Sequence, residues 1–127
     1  DMLLTTGEQI SVSLMAMAFH KLGIPAVSLN AFQVKMHSTS TYGNARFKKV
    51  ESERILHELG YRKIVIVPGF PGVNKDEYYA TMGRGGSDTT AVAIAAALGA
   101  DACEIYTDVD GVYTADPRIV PSARKLK

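Results

Sequence analysis

Tryptophan is absent from this 127-residue chain, and cysteine occurs once, at Cys103. A single thiol excludes an internal disulfide and suits a reducing compartment, and its place in an apparent strand predicts a buried, inert side chain. Charge of either sign is not in excess. Fourteen Lys plus Arg against thirteen Asp plus Glu leave a formal +1, which provides no field suited to nucleic acid or to a membrane surface. The three histidines, His20, His37 and His57, lie far apart and lack the spacing of a metal site. No apolar run reaches the roughly 20 residues that span a bilayer. The N-terminus does not read as a signal peptide, so the expected address is the cytoplasm. Internal repeats and low-complexity linkers are missing too.

What is present is material for one modest α/β domain, with 46% hydrophobic residues. Thr5 to Gln9 reads as a helix start, in which Thr5 and Glu8 have the spacing of a capping box. Spacing alone leaves capping and ligand contact both open for this pair. Ile10, Leu14, Met17 and Ala18 follow on one helical face, widened by Met15, Phe19 and Leu22, and Gly23 ends the helix. A short strand over 24–29, a loop over 38–44, an extended segment or strand over 45–50 and a helix over 51–59 come next. In that second helix Ile55, Leu56 and Leu59 are expected inward. Ile64-Val65-Ile66-Val67 has the pattern of a strand buried on both faces. Pro68 to Gly72 breaks it, and 73–81 reads as a hairpin or surface excursion. An alanine-rich helix then runs to Leu98 with Gly99 as its stop, and Ala102 to Tyr106 reads as a further strand. This alternation predicts a mainly parallel sheet covered by helices, with ligands at the carboxyl ends of the strands, where Pro68-Gly69-Phe70 and Thr107-Asp108 both fall.

Two motifs carry chemistry. In Gly83-Arg84-Gly85-Gly86-Ser87-Asp88-Thr89-Thr90 the glycines allow turns and close approach, and Ser87 or Asp88 is expected to cap the helix. Arg84 supplies a planar fork for a carboxylate or phosphate. A helix start of this kind is an anion site, although tight packing of the helix explains the alanines equally well. The lysine and spacing of a Walker A loop are absent. The second motif runs from Thr107 to Arg118. Asp108 and Asp110 before Gly111 lack the remaining ligands of a calcium loop. Asp108, Tyr113 and Arg118 offer an acceptor, an aromatic face and a cation, which suit a nucleotide.

Together, Leu4-Thr5-Thr6-Gly7-Glu8, Tyr42-Gly43-Asn44-Ala45-Arg46, Gly83 to Ala91 and Cys103 to Arg118 closely resemble the aspartate kinases of the amino-acid kinase family. The resemblance covers nearly the whole chain. It implies an αβα sandwich that transfers the γ-phosphoryl of ATP, with Mg2+ carried by the nucleotide, to the β-carboxylate of L-aspartate. It further implies that Glu8 helps to bind aspartate, that Arg84, Gly85, Gly86 and Ser87 hold its carboxylate, and that Asp88 organises the catalytic network with Arg84. Thr107 and Asp108 are implied to contact the nucleotide, and Tyr113 and Arg118 to close over it. The family's phosphate-binding Lys-Phe-Gly-Gly segment, its later lysine and its regulatory ACT domains have no counterpart in these residues. The chain is therefore expected to be a central portion of the catalytic domain of a homo-oligomeric parent, inactive and weakly stable or self-associating alone. Glutamate or acetylglutamate kinases and a non-catalytic nucleotide-binding relative are the alternatives.

Overall fold

The structure is a computed structural model that describes residues 1–107 and 111–126. Its elements are α1 (Met2–Lys21), β1 (Ala26–Ser28), β2 (Met36–Ser38), β3 (Phe47–Val50), α2 (Glu53–Gly60), β4 (Ile64–Ile66), β5 (Pro71–Val73), β6 (Tyr79–Thr81) and α3 (Gly86–Leu98). The strands form two sheets. β1 and β4 pair in parallel, with Val27 opposite Val65. The other sheet has the order β3-β2-β5-β6, parallel between β2 and β5 and antiparallel at the other two seams. The β5–β6 pair is a hairpin, one of the two readings of 73–81, and it begins at Pro71, inside the stretch read only as a break.

The core is built where the turn after β1 meets the sheets. Leu29, Ala31, Val34, Met36, Ile55 and Val73 form one buried cluster, with Val65, Val67, Ile94 and Leu98 packed against it. A smaller cluster of Ala45, Ala80 and Met82 lies against Phe47 and Phe70. It joins the Tyr42–Arg46 segment to the strand that leads into the glycine loop.

α1 departs from its sequence reading in three ways. It begins at Met2 with Asp1 at the N-cap, so Thr5 lies inside the helix and donates to the Met2 carbonyl at 2.8 Å instead of capping. Met2-Leu3-Leu4 are good helix formers, which moves the start one turn upstream, although the Asp1 side chain makes no capping bond. The packed face is also different. Thr5 and Ala16 are buried, whereas Ile10, Leu14, Met15 and Met17 are exposed. Small side chains at 5 and 16 let the backbone approach β1, β4 and β6. Finally, α1 is 20 residues long with mean hydropathy 1.2, long and apolar enough to cross a membrane by length and composition. The sequence reading missed this because Thr and Ser residues interrupt the run. Thr5, Thr6, Ser11 and Ser13 all return their hydroxyls to helix carbonyls three or four residues back, which satisfies them locally. The same length and apolarity also fit a helix that packs on a sheet, as this one does.

Other expectations are corrected by burial and pairing. In α2, Ile55 is buried but Leu56 and Leu59 are exposed, and Glu58 takes the inward place. Its carboxylate is satisfied there by Arg54 and Lys63, each at 2.7 Å. β4 is not covered on both faces, since Ile64 is exposed and Val65 and Ile66 are half-buried. Residues 102–107 form no strand, and Cys103 is exposed instead of buried. A strand exists only through a paired neighbour, and among the described residues β4 is paired with β1 alone.

A charged cluster fastens β2 and β3. Glu51, just beyond β3, meets Lys35 at 2.9 Å, His37 at 3.0 Å and Lys49 at 3.6 Å. These partners hold its carboxyl well below the usual range, at about 2, chiefly through the Lys35 and His37 hydrogen bonds.

Candidate functional site

The glycine loop sits at the junction of β6 and α3. The Gly86 N–H closes a turn onto the Gly83 carbonyl at 3.0 Å. Gly85 is the N-cap of α3 at φ +75°, a left-handed conformation that a β-carbon would penalise. This places the helix start ahead of the expected cap. Ser87 and Asp88 are the second and third residues of α3, and neither caps it. The loop turns into the helix at Gly85, so both side chains are already on helical backbone and face outward. The Gly86 N–H is taken by the Gly83 carbonyl, and with no side-chain cap the Ser87 and Asp88 N–H groups and the positive dipole end of α3 face the loop.

Arg84, Gly85, Ser87 and Asp88 are exposed on this corner, while Gly86 is buried beneath it. Close packing fixes the corner from below. A β-carbon on Gly86 would lie 2.6 Å from Met82 Cβ, and one on Gly69 would lie 2.9 Å from Ser87 Cα. The turn just beyond the carboxyl end of β4 therefore runs directly under the start of α3. That is where a parallel sheet collects its ligands.

Sequence reasoning placed Phe70 and Thr90 near this corner but gave neither a role. Phe70 has φ +85°, an outlier for a bulky residue, and all the more so for one that precedes a proline. Its N–H donates to Thr90 Oγ1 at 3.0 Å, its carbonyl accepts from the Met82 N–H at 2.9 Å, and its ring edge lies against Gly86. Strain of this kind costs about 1–3 kcal/mol and concentrates at functional sites. Thr90 is the other. It is buried in α3, accepts from Phe70 and donates to the Gly86 carbonyl at 2.7 Å. The Pro68–Gly72 cluster signalled a break in the strand, but nothing in it encodes a positive φ at 70.

The remaining candidates are distributed. Glu8 is half-buried on α1, the helix that packs on β6. Beside it a cavity of about 110 Å³ is lined by Gln9, Ser13, Ser28, Asn30 and Gln33. Thr107 is exposed at the end of the extended 102–107 segment. Asp108 lies outside the described residues. Tyr113 pairs with Lys125 in an isolated antiparallel bridge. Arg118 grips Asp116 through Nε at 3.1 Å and Nη2 at 2.9 Å, which lowers the Asp116 carboxyl below its ordinary value. The structure thus unites Arg84, Gly85, Gly86, Ser87 and Asp88 on one corner. It leaves the Tyr113–Arg118 stretch in a segment whose described bonds are local.

A model of the amino acid kinase family matches residues 1–127. An aspartokinase of Corynebacterium efficiens is 59% identical over 128 residues, covering 100% of this chain and 30% of that protein. An aspartokinase of Bacillus sp. strain MGA3 is 54% identical, covering 99% of this chain and 31% of its own length. Among solved structures, E. coli aspartokinase III in complex with aspartate and ADP superposes with a TM-score of 0.81 at 32% identity, over 99% of this chain and 29% of that one. The chain spans about 30% of the length of the relatives it matches.

Proposed function

The chain belongs to the amino acid kinase family, and from that premise we propose that residues 1–127 are the central part of an aspartate kinase catalytic domain. The complete enzyme transfers the γ-phosphoryl of ATP to the β-carboxylate of L-aspartate and yields 4-phospho-L-aspartate and ADP. The observation that carries this reading is the exposed Arg84 beside the uncapped start of α3. One corner offers a guanidinium fork and oriented N–H groups, the complement of an amino-acid carboxylate. The names of the relatives and the aspartate and ADP bound by the E. coli neighbour support it.

In this reading Arg84, with the Gly85, Gly86 and Ser87 backbone, holds the acceptor's carboxylate, and Glu8 binds its ammonium. Asp88 orders the polar groups about the transferred phosphoryl. Thr107, Asp108, Tyr113 and Arg118 serve the nucleotide, and Arg118 turns from Asp116 to do so. A β-carboxylate oxygen of aspartate forms the new bond to the γ-phosphorus as the bond to the ADP oxygen breaks. Such a transfer asks the protein for positioning and charge neutralisation, not covalent chemistry. Mg2+ enters on the nucleotide.

The test is ADP release by the complete enzyme, with aspartate, glutamate and acetylglutamate offered separately. Aspartate-dependent release alone is expected. Turnover of another acceptor in its place overturns the substrate assignment, and no turnover with any of them overturns the kinase reading in favour of a non-catalytic nucleotide-binding relative.

A further inference from the structure

Asp1 stands at the N-cap of α1, yet its carboxylate does not cap that helix. Oδ2 instead accepts two backbone N–H groups from distant segments, Thr81 at 2.7 Å and Gly43 at 3.0 Å. Hydrogen bonds to an ionised carboxylate are about twice as strong as neutral ones. Around this oxygen three segments converge. Thr81 ends β6, three residues before Arg84. Gly43 belongs to the Tyr42–Arg46 motif, to which the proposed function assigns no role. That motif is stitched to β6 by the Ala45 N–H donating to the Thr81 carbonyl at 2.9 Å and by a parallel bridge between Ala45 and Met82. It also backs directly onto the glycine loop, because a β-carbon on Gly83 would lie 3.0 Å from Asn44 Oδ1.

The two groups assigned to the acceptor hang from the parts that Asp1 joins. Glu8 lies seven residues along α1, about 10 Å of helix axis from Asp1. Arg84 lies three residues beyond Thr81. Among the described residues, the Asp1 carboxylate alone hydrogen-bonds the first turn of α1 to β6 and to the 41–45 loop. We propose that Asp1 is a positioning residue that sets the separation of Glu8 and Arg84 and holds the Tyr42–Arg46 loop against the glycine loop. This rests on the acceptor roles proposed above for Glu8 and Arg84. Since a displacement of about 1 Å can cost on the order of 10²-fold in rate, loss of this tie is felt at the acceptor and not at the nucleotide.

The experiment compares Asp1→Ala and Asp1→Asn in the complete enzyme, with two readouts. In steady-state kinetics, Asp1→Ala is expected to raise the KM for aspartate about tenfold or more while the KM for ATP stays within about twofold. Asp1→Asn, whose Oδ1 still accepts, is expected to recover most of the loss. In amide hydrogen exchange, Asp1→Ala is expected to speed exchange at Gly43 and Thr81 and onward through residues 83–86, and Asp1→Asn to do so far less. A lower melting temperature with both KM values unchanged reduces Asp1 to a purely structural tie and overturns the proposal. So does faster exchange confined to Gly43 and Thr81. An unsubstituted enzyme without aspartate-dependent turnover overturns the functional reading instead, and the exchange data still decide whether Asp1 fixes the loop.

Discussion

Replacing Thr90 by valine tests the mechanical link between the strained turn joining β4 to β5 and the start of α3. The Thr90 hydroxyl is buried, receives the Phe70 N–H at 3.0 Å and gives its own proton to the Gly86 carbonyl at 2.7 Å. Valine keeps the branched shape but removes both bonds. The Gly86 carbonyl suffers little, because it lies in the first turn of a helix whose own N–H groups serve it. The Phe70 N–H loses its partner while the residue is held at φ +85°. An unsatisfied, part-buried donor costs about 1–3 kcal/mol, of which the extra buried methyl returns a fraction, so a net loss of about 1–2.5 kcal/mol is expected. Urea unfolding of the complete enzyme reads this as a lower midpoint with an unchanged slope. Thr90→Ser, which retains the hydroxyl, should recover most of it. A valine variant within about 0.5 kcal/mol of the parent would refute the reasoning, because that is the range of a substitution touching no such feature.

Two further predictions concern groups outside the glycine corner. Glu51 has its folded-state carboxyl depressed to about 2 by Lys35, His37 and Lys49, below the value of about 4.3 expected in the unfolded chain. Its contribution is therefore fully present above the unfolded value and fades as pH falls from about 4.3 through about 2. The stability gap between the parent and Glu51→Gln, read from urea midpoints, should be widest near neutrality and close toward pH 2, whereas a gap independent of pH contradicts the ion-pair origin. Thr81 is fully buried, and its Oγ1 has no hydrogen-bond partner among the described residues. Thr81→Val should keep the backbone bond to Asp1 and raise stability by up to about 1 kcal/mol; a lower melting temperature would mean that the hydroxyl has a partner in the complete enzyme.

Features fixed by local sequence were legible in advance. The glycine loop, the Arg84 position, the β5–β6 hairpin and the stop at Gly99 each depend on residues within one turn of each other. Features fixed by distant partners were not. The Thr5–Glu8 spacing of a capping box is local and ambiguous, and α1's start at Met2 put Thr5 inside the helix. The inward face of α1 could not be read because apolar residues surround the helix, and the positions it buries, Thr5 and Ala16, are not the large ones. Residues 102–106 have strand composition but join no strand among the described residues. At the site, the residue types of the 83–88 loop pointed to an anion, whereas the φ of Phe70, the Thr90 link and the Asp1 carboxylate arise from contacts 20 to 80 residues apart in sequence.

The central claim is that Arg84, at the uncapped start of α3, holds the acceptor's carboxylate. Its most direct test is the aspartate dependence of ADP release by the complete enzyme carrying Arg84→Ala, beside Arg84→Lys. Loss of about 10²-fold or more in kcat/KM for aspartate is predicted for the alanine variant, with only partial recovery by lysine, which keeps the charge but lacks the fork. An alanine variant that turns over aspartate with the parent's kcat/KM contradicts the claim.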